Sequence, residues 1–367
     1  MDFEEITSFE TLYKAYKRAR RKKRSKPGTA HYEANALNAT EKLSYILRSG
    51  KYKPGPFEIF KVYEPKERLV QAPAFVDKVV QHALVDNYLY DIITKSLIRD
   101  NTATQIGRGT HDGLDRIQHH MRDYFRKRKG RDENQRCADG LPPRPMEEWD
   151  YASGWVLKAD ITKFFHSINH DLIKEMLAKK IEDKRILDLM YAYIDVSEGL
   201  PLGYQTSQLL ALMYLDPFDH WIKERLRIKY YGRYMDDFYL IHEDKAYLKQ
   251  CLAEITEYLD RLGLTLNDKT GITPLRNGID FLGFRLYLTD SGKVVKKLRH
   301  KSAKRIKARI KKWAKDQEQD NADLDHIWQS YRAWNAHAAH GHTRQLRIKI
   351  KRLMITNFKY PKNEKKL

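Results

Sequence analysis

One stretch limits this chain more than any other. Between Lys229 and Ile241 two adjacent carboxylates, Asp236 and Asp237, interrupt a run of aromatic and β-branched residues. The flanks of the pair read as two short strands. The acidic pair falls between them, where a hairpin would turn. Like charges side by side cost energy if buried without compensation. A divalent cation compensates them, and Mg²⁺ favours a small number of carboxylates plus substrate phosphates. A solvated acidic turn is the other reading of the same residues.

A second carboxylate bears on that choice. Val156 to Asp160 is an apolar strand ending in one Asp, followed by a turn through Ile161 to Phe165. A helical pattern then runs from Leu172 to Lys180, with Asn169 or His170-Asp171 at its start. Asp160 lies 76 positions before Asp236. An Asp at a strand end and an Asp pair in a neighbouring hairpin can converge on two metal ions about 3.5–4 Å apart, which clamp the attacking and leaving oxygens of a phosphoryl transfer. A hard cation needs neither His nor Cys ligands.

These two segments resemble motifs of the reverse transcriptase family. Tyr234-Met235-Asp236-Asp237 is similar to the family's YxDD box, and Leu157 to Phe165 to its first catalytic motif. The resemblance implies that Asp160, Asp236 and Asp237 are catalytic and hold two Mg²⁺ ions, or Mn²⁺ in their place, with the Ile161 carbonyl as a further ligand. Other blocks follow in the family's order. Pro65 to Val70, then Phe75 to Leu84, resembles the fingers segment, which makes Lys66 and Arg68 candidates for gripping the incoming triphosphate; two solvated hairpin charges are the plainer reading. Asn101 to His111 resembles the next block. There Arg108, in a Gly-Arg-Gly turn, is a candidate for a template phosphate, and Leu114, Ile117, Met121 and Phe125 mark a helix after it.

Phe165, five residues after Asp160, stands where the family places a bulky aromatic against a ribose 2′-OH, which selects dNTPs over rNTPs. Phe164 and Phe165 are expected on opposite faces, one of them in the core. Gly199 to Gln208 departs from the common family motif Gln-Gly-x-x-x-Ser-Pro: Leu202 replaces the Gln and Gln208 the Pro. Leu-Gly-x-x-x-Ser-Gln resembles the enzymes of diversity-generating retroelements, whose copying errors concentrate at template adenines. The resemblance puts Gly203, Ser207 and Gln208 against the dNTP, and an apolar helix is expected from Leu209 to Leu215. A neutral lineage variant is the alternative. Lys269, after Leu262 to Asp268, matches a segment where a Lys approaches the pyrophosphate and can act as a general acid; a solvated loop Lys fits as well. Ile279 to Tyr287 resembles the primer-grip hairpin.

Composition supports a polyanionic partner. Lys and Arg number 69 against 49 acidic residues, a formal net charge of +20. No 18-residue apolar run or lipidation signal points to a membrane, and the acidic start Met1 to Glu5 does not read as a signal peptide. Two cysteines form no disulfide framework, so a reduced, cytoplasmic setting is expected. From Lys293 to Lys315 there are 12 Lys/Arg and no acidic residue, with Ile306, Ile310 and Trp313 at helical spacing. This reads as a basic helix with an apolar stripe, the character of a thumb that grips a duplex by its phosphates, and Lys297, Arg299, Lys304 and Arg305 are its nucleic-acid candidates. A membrane-surface or calmodulin-target helix shares that composition. His337, His340 and His342 have no Cys or carboxylate beside them and read as packing or nucleic-acid contacts before zinc.

The expected fold is α+β: a right-hand polymerase with an antiparallel palm sheet, α/β fingers and a helical thumb. Its expected parts are a basic helical extension over 1–60, fingers and palm over 61–288 with an inserted loop near 126–155, and a basic helical thumb over 289–367. The expected activity is RNA-directed DNA polymerisation of the diversity-generating type. Its partners would be an RNA template, a DNA or RNA primer, dNTPs and a small basic accessory protein. An antiphage-defence or group II intron-like reverse transcriptase is the first alternative, and a non-catalytic nucleic-acid-binding protein the second.

Overall fold

The computed structural model describes residues 1–63, 67–318 and 323–358. Nine strands are assigned among them: β1 (Glu58–Val62), β2 (Arg68–Ala72), β3 (Trp155–Asp160), β4 (Tyr230–Tyr234), β5 (Asp237–His242), β6 (Gly271–Pro274), β7 (Ile279–Phe281), β8 (Phe284–Leu288) and β9 (Val294–Leu298). They form three sheets, β1-β2, β4-β5-β3-β6 and β7-β8-β9. The pairings of β1 with β2, β3 with β6, β7 with β8 and β8 with β9 are antiparallel. Mixed helix and antiparallel sheet agrees with the expected α+β class. No helix of the described residues is long and apolar enough to cross a membrane.

The chain divides into two compact units that interleave along the sequence: residues 1–109, 159–238 and 249–270, and residues 110–158, 239–248 and 271–367. In the first unit, helices Phe9–Ala19 and Phe75–Leu84 bury Tyr16 and Phe75, whose rings meet edge-on at 6.3 Å beside Tyr32. Ser8 caps the first of these, accepting from the Thr11 amide. Helix His170–Ala178 starts on Asn169, whose side chain accepts from the Leu172 amide. Helix Gln205–Tyr214 begins four residues before the expected Leu209. Its start needs no cap of its own, because the buried Gln81 side chain accepts from the Gln205 amide at 2.8 Å.

In the second unit, helix Thr110–Ala138 buries Leu114, Ile117, Met121 and Phe125, the stripe expected from the sequence. The helix runs on to Ala138, so the loop expected from residue 126 is confined to 139–154, with a 3-10 turn at Met146–Glu148. The polar extension lacks an apolar stripe. It is held by charge pairs along and off the helix: Lys129 with Glu133, and Arg131 with Glu243 at 2.6 Å. Arg128 also donates to the Ser153 carbonyl at 2.6 Å. The basic segment from Lys293 is likewise not one helix. Val294–Leu298 is a strand that buries Val294, Lys296 and Leu298 by alternation, and the helix starts only at His300. Helices His300–Glu318, Leu324–Ala339 and Arg344–Asn357 share a core of Ile306, Ile310, Ile327, Trp328, Tyr331, Ile350 and Met354.

Candidate active site and family

The acidic pair sits where β4 turns into β5. Met235 and Asp236 form the two-residue turn, and Asp237 opens β5. Met235 has φ 56°, a left-handed conformation that costs an L-residue with a side chain roughly 1–2 kcal/mol. Neighbouring backbone meets this turn: the Ile161 amide donates to the Asp236 carbonyl at 3.1 Å. Asp160 ends β3 one residue earlier, so the strand end and the turn lie side by side. The Asp160 carbonyl accepts from the Asn267 amide at 2.7 Å, and the Thr162 amide donates to Thr265 at 2.8 Å. The Asn267 side chain then accepts from the Lys269 amide at 3.0 Å, which fixes the small loop bearing the exposed Lys269.

The segment around Gly203 docks on β2. The Gln71 amide donates to the Leu202 carbonyl at 2.7 Å. Gly203 has φ 125°, and a Cβ built on it would lie 2.5 Å from the Gln71 carbonyl oxygen, so both its backbone and its neighbour require glycine. Arg68, exposed, stands three residues before Gln71 on the same strand. Lys66 lies outside the described residues. Ser207 is buried in helix Gln205–Tyr214, whereas Gln208 is exposed and its side-chain oxygen accepts from Thr104 at 3.4 Å. Phe164 is buried and Phe165 half-buried, so one of the two joins the core as expected, but their rings meet edge-on at 5.7 Å in a 3-10 turn instead of lying on opposite faces of a strand. The Phe165 carbonyl accepts from the Leu200 amide at 2.7 Å.

The remaining nucleic-acid candidates lie apart from this group in the chain. Arg108 donates to the Gln105 side chain at 3.0 Å. Lys297, Arg299, Lys304 and Arg305 belong to the second unit: Lys297 lies over the Tyr287 ring, Arg299 pairs with Asp280 at 3.4 Å, and Lys304 and Arg305 are exposed on the His300–Glu318 helix.

Behind the turn lies a network that the sequence did not single out. Arg233 and Asp219, both 0% exposed, form a two-pronged ion pair: Nε donates to one carboxylate oxygen at 2.7 Å and Nη2 to the other at 2.6 Å. Nη1 donates to the Met235 carbonyl at 3.0 Å. The Tyr231 hydroxyl and the Asn101 amide also donate to Asp219, at 2.5 and 3.2 Å. Burial pulls the Arg233 guanidinium down, but the Asp219 charge and hydrogen bonds outweigh it and hold the group above its ordinary range. Burial, then the Asp219 charge, pushes the Tyr231 phenol well up. The only local signal was an arginine inside an apolar strand.

Asp160, Asp236 and Asp237 offer hard oxygen donors only, a set suited to Mg²⁺ or Mn²⁺ and not to a thiolate-seeking metal. No group of three or more His, Cys, Asp or Glu among the described residues is placed to hold an ion by itself.

A family model described as reverse transcriptase (RNA-dependent DNA polymerase) matches residues 64–286, which include the turn, β3 and the docked 199–208 segment. The chain belongs to the reverse transcriptase family. Its enzyme class is therefore RNA-directed DNA polymerase, a nucleotidyltransferase, and reverse transcriptases as a family use divalent metal ions. Protein YkfC of Escherichia coli K12 is 27% identical over 289 residues, covering 65% of this chain and 69% of that protein. The putative COX1/OXI3 intron 1 protein of Saccharomyces cerevisiae is 25% identical over 278 residues, covering 70% of this chain but 28% of its own length. Among solved structures, apo telomerase from Candida tropicalis overlaps with a TM-score of 0.45 at 15% identity, over 69% of this chain and 58% of that one.

Proposed function

We propose that this reverse transcriptase extends a DNA or RNA primer with dNTPs on an RNA template, in the error-prone manner of diversity-generating retroelements. The single observation that carries the polymerase reading is the Ile161–Asp236 backbone bond, which seats the end of the Asp160 strand against the turn bearing Asp236 and Asp237. Asp160, Asp236, Asp237 and the Ile161 carbonyl would hold two Mg²⁺ ions, or Mn²⁺, whose chemistry is to lower the pKa of the primer 3′-OH and to neutralise the triphosphate. The primer 3′-OH releases its proton to solvent water as its oxygen forms a bond to the α-phosphorus, the bond from that phosphorus to the bridging oxygen of the β-phosphate breaks, and pyrophosphate leaves. Arg68, with Lys66, steadies the triphosphate, and Lys269 delivers a proton to the leaving group. The Phe165 ring occupies the space of a 2′-OH. Gly203, Ser207 and Gln208 line the nucleotide. In this reading β3 to β6 belong to the palm, β1 and β2 to the fingers, and the three C-terminal helices to the thumb. Arg108, Lys297, Arg299, Lys304 and Arg305 contact phosphates, and a small basic protein assists.

The subtype rests on Leu202 and Gln208. The likeness to yeast intron proteins favours a second reading, an intron-like reverse transcriptase. Primer extension on an RNA template with Mg²⁺ and dNTPs, beside Asp236→Ala, tests both. DNA synthesis by the native chain and none by the variant supports the polymerase; synthesis by both sinks the assignment of Asp236. Errors clustered at template adenines support the diversity-generating type, and accurate products support the intron-like one.

A further inference from the structure

The geometry points to Arg233 as a positioning residue for the Asp236 turn, anchored by the buried carboxylate of Asp219. The inference rests on Asp236 being catalytic, as proposed above. A fully buried ion pair is weak ground for stability, because apolar residues of the same volume often serve as well. What an apolar pair could not supply is the third arm of the guanidinium. Two arms are spent on the two Asp219 oxygens, in the planar fork that only arginine presents. The third donates to the Met235 carbonyl. That carbonyl belongs to the peptide plane joining Met235 to Asp236. On the other side, the Asp236 carbonyl accepts from the Ile161 amide. The backbone of Asp236 is thus held both before and after its Cα.

Two further facts fit a positioning role. Met235 stands in a left-handed conformation, which persists only where the surroundings impose it. Asp219 cannot swing, since Tyr231 and Asn101 donate to the same two oxygens that Arg233 uses. The Arg233 backbone is tied to the same segment as Asn101: its amide donates to the Asp100 carbonyl at 3.0 Å, and its carbonyl accepts from Thr102 at 3.2 Å. The anchor is therefore built into the strand that leads to the turn.

Arg233→Lys keeps the charge opposite Asp219 but cannot reach both carboxylate oxygens and the Met235 carbonyl at once. The full chain and its variants are compared in primer extension, corrected for folded fraction, with a Mg²⁺ titration and hydrogen exchange of the amides of residues 235–237. Arg233→Lys is expected to fold, to lose about 10- to 100-fold in kcat, to need more Mg²⁺ and to exchange faster at the turn. Asp219→Asn is expected to act the same way and carries the test if Arg233→Lys does not fold. Ile186→Ala, a buried core position in the same unit, is expected to lower Tm with kcat and the Mg²⁺ midpoint unchanged. Native kcat, Mg²⁺ midpoint and turn exchange in both Arg233→Lys and Asp219→Asn overturn the inference, whatever their Tm. So does an equal kcat loss in Ile186→Ala, which would make the effect a general loss of core. Should Asp236→Ala retain synthesis, the catalytic reading falls instead, and the exchange data still show whether Arg233 holds the turn.

Discussion

Gly203→Ala separates two costs that glycine hides, backbone conformation and close approach. The chain carries its own controls. At Gly109 an added Cβ meets nothing within 4 Å and φ is ordinary; at Gly50 the space is open but φ is 68°. At Gly203 φ is 125° and the Cβ falls 2.5 Å from the Gln71 carbonyl oxygen, a distance real Cβ atoms essentially never show. The neighbour is backbone and cannot rotate away. Relief needs β2 and the 202–203 segment to part by about half an ångström or more, which strains the 2.7 Å bond from Gln71 to Leu202. Gly109→Ala should then lie within about 0.5 kcal/mol of the parent. Gly50→Ala should cost roughly 1–2 kcal/mol from φ alone. Gly203→Ala adds a lost backbone hydrogen bond between half-buried residues, about 0.5–1.5 kcal/mol, for a total of about 2–3 kcal/mol. Thermal melts of the three variants read this as Tm falling by roughly 5–10 °C for Gly203→Ala. Because β2 also carries Arg68, the KM for dNTP should rise in the same variant. If Gly203→Ala matches Gly50→Ala in Tm and keeps the parent KM, the docking of Leu202-Gly203 on β2 is not the constraint argued here.

Three other outcomes are expected. Phe165→Ala should raise rNTP incorporation relative to dNTP by roughly 10-fold or more, and unchanged discrimination in a competition assay removes the gate assignment. Ile310→Ala, in the core of the C-terminal helices, should cost about 2–5 kcal/mol, read by urea titration; a loss below about 1 kcal/mol would mean those helices are not held by that core. His220 donates toward Glu224 and toward the Ser96 carbonyl, contacts that hold its pKa above the ordinary value, the Glu224 bond first. A histidine with a raised folded pKa adds stability that is full below its unfolded pKa of about 6.5 and is lost as pH rises through the folded value. His220→Asn should therefore flatten the fall in Tm between about pH 6 and pH 8, and an identical pH profile in parent and variant would refute the pairing.

Elements with a strong local signature were legible in the sequence. The apolar strand before Asp160, a turn at the acidic pair, a helix start at Asn169 or His170-Asp171 and the stripe Leu114-Ile117-Met121-Phe125 each announce themselves within a dozen residues; the strand and the stripe are found where expected, Asn169 is the cap, and the turn falls one residue early, at Met235-Asp236. Residues 126–138 misled because helical pattern reading looks for an apolar face. This stretch has none, and its helix is held by pairs such as Arg131 with Glu243, 112 positions away. The strand Val294–Leu298 misled for the opposite reason. Its lysines matched the basic helix that follows, and the alternation that buries Val294, Lys296 and Leu298 is only five residues long.

The site divides along the same line. The acidic motifs could be read as a proposed site because each is contiguous in the chain. The support for those carboxylates could not, because it is distributed: Arg233 takes its meaning from Asp219, 14 positions earlier, and Asp219 from Asn101, 118 positions before that. An arginine inside a buried strand is nevertheless a physical anomaly. A guanidinium cannot be buried without a partner for its charge and its donors, so its presence in Tyr231-Gly232-Arg233-Tyr234 requires a buried acid somewhere in the fold. Glu224, Asp219 and Asp216 were the nearest acids on the amino-terminal side, all in the amphipathic helix Asp216–Glu224, and Asp219 is the one that meets it. The sequence thus demanded a partner without naming it, and the three-dimensional arrangement ties that partner to the turn on which the proposed chemistry depends.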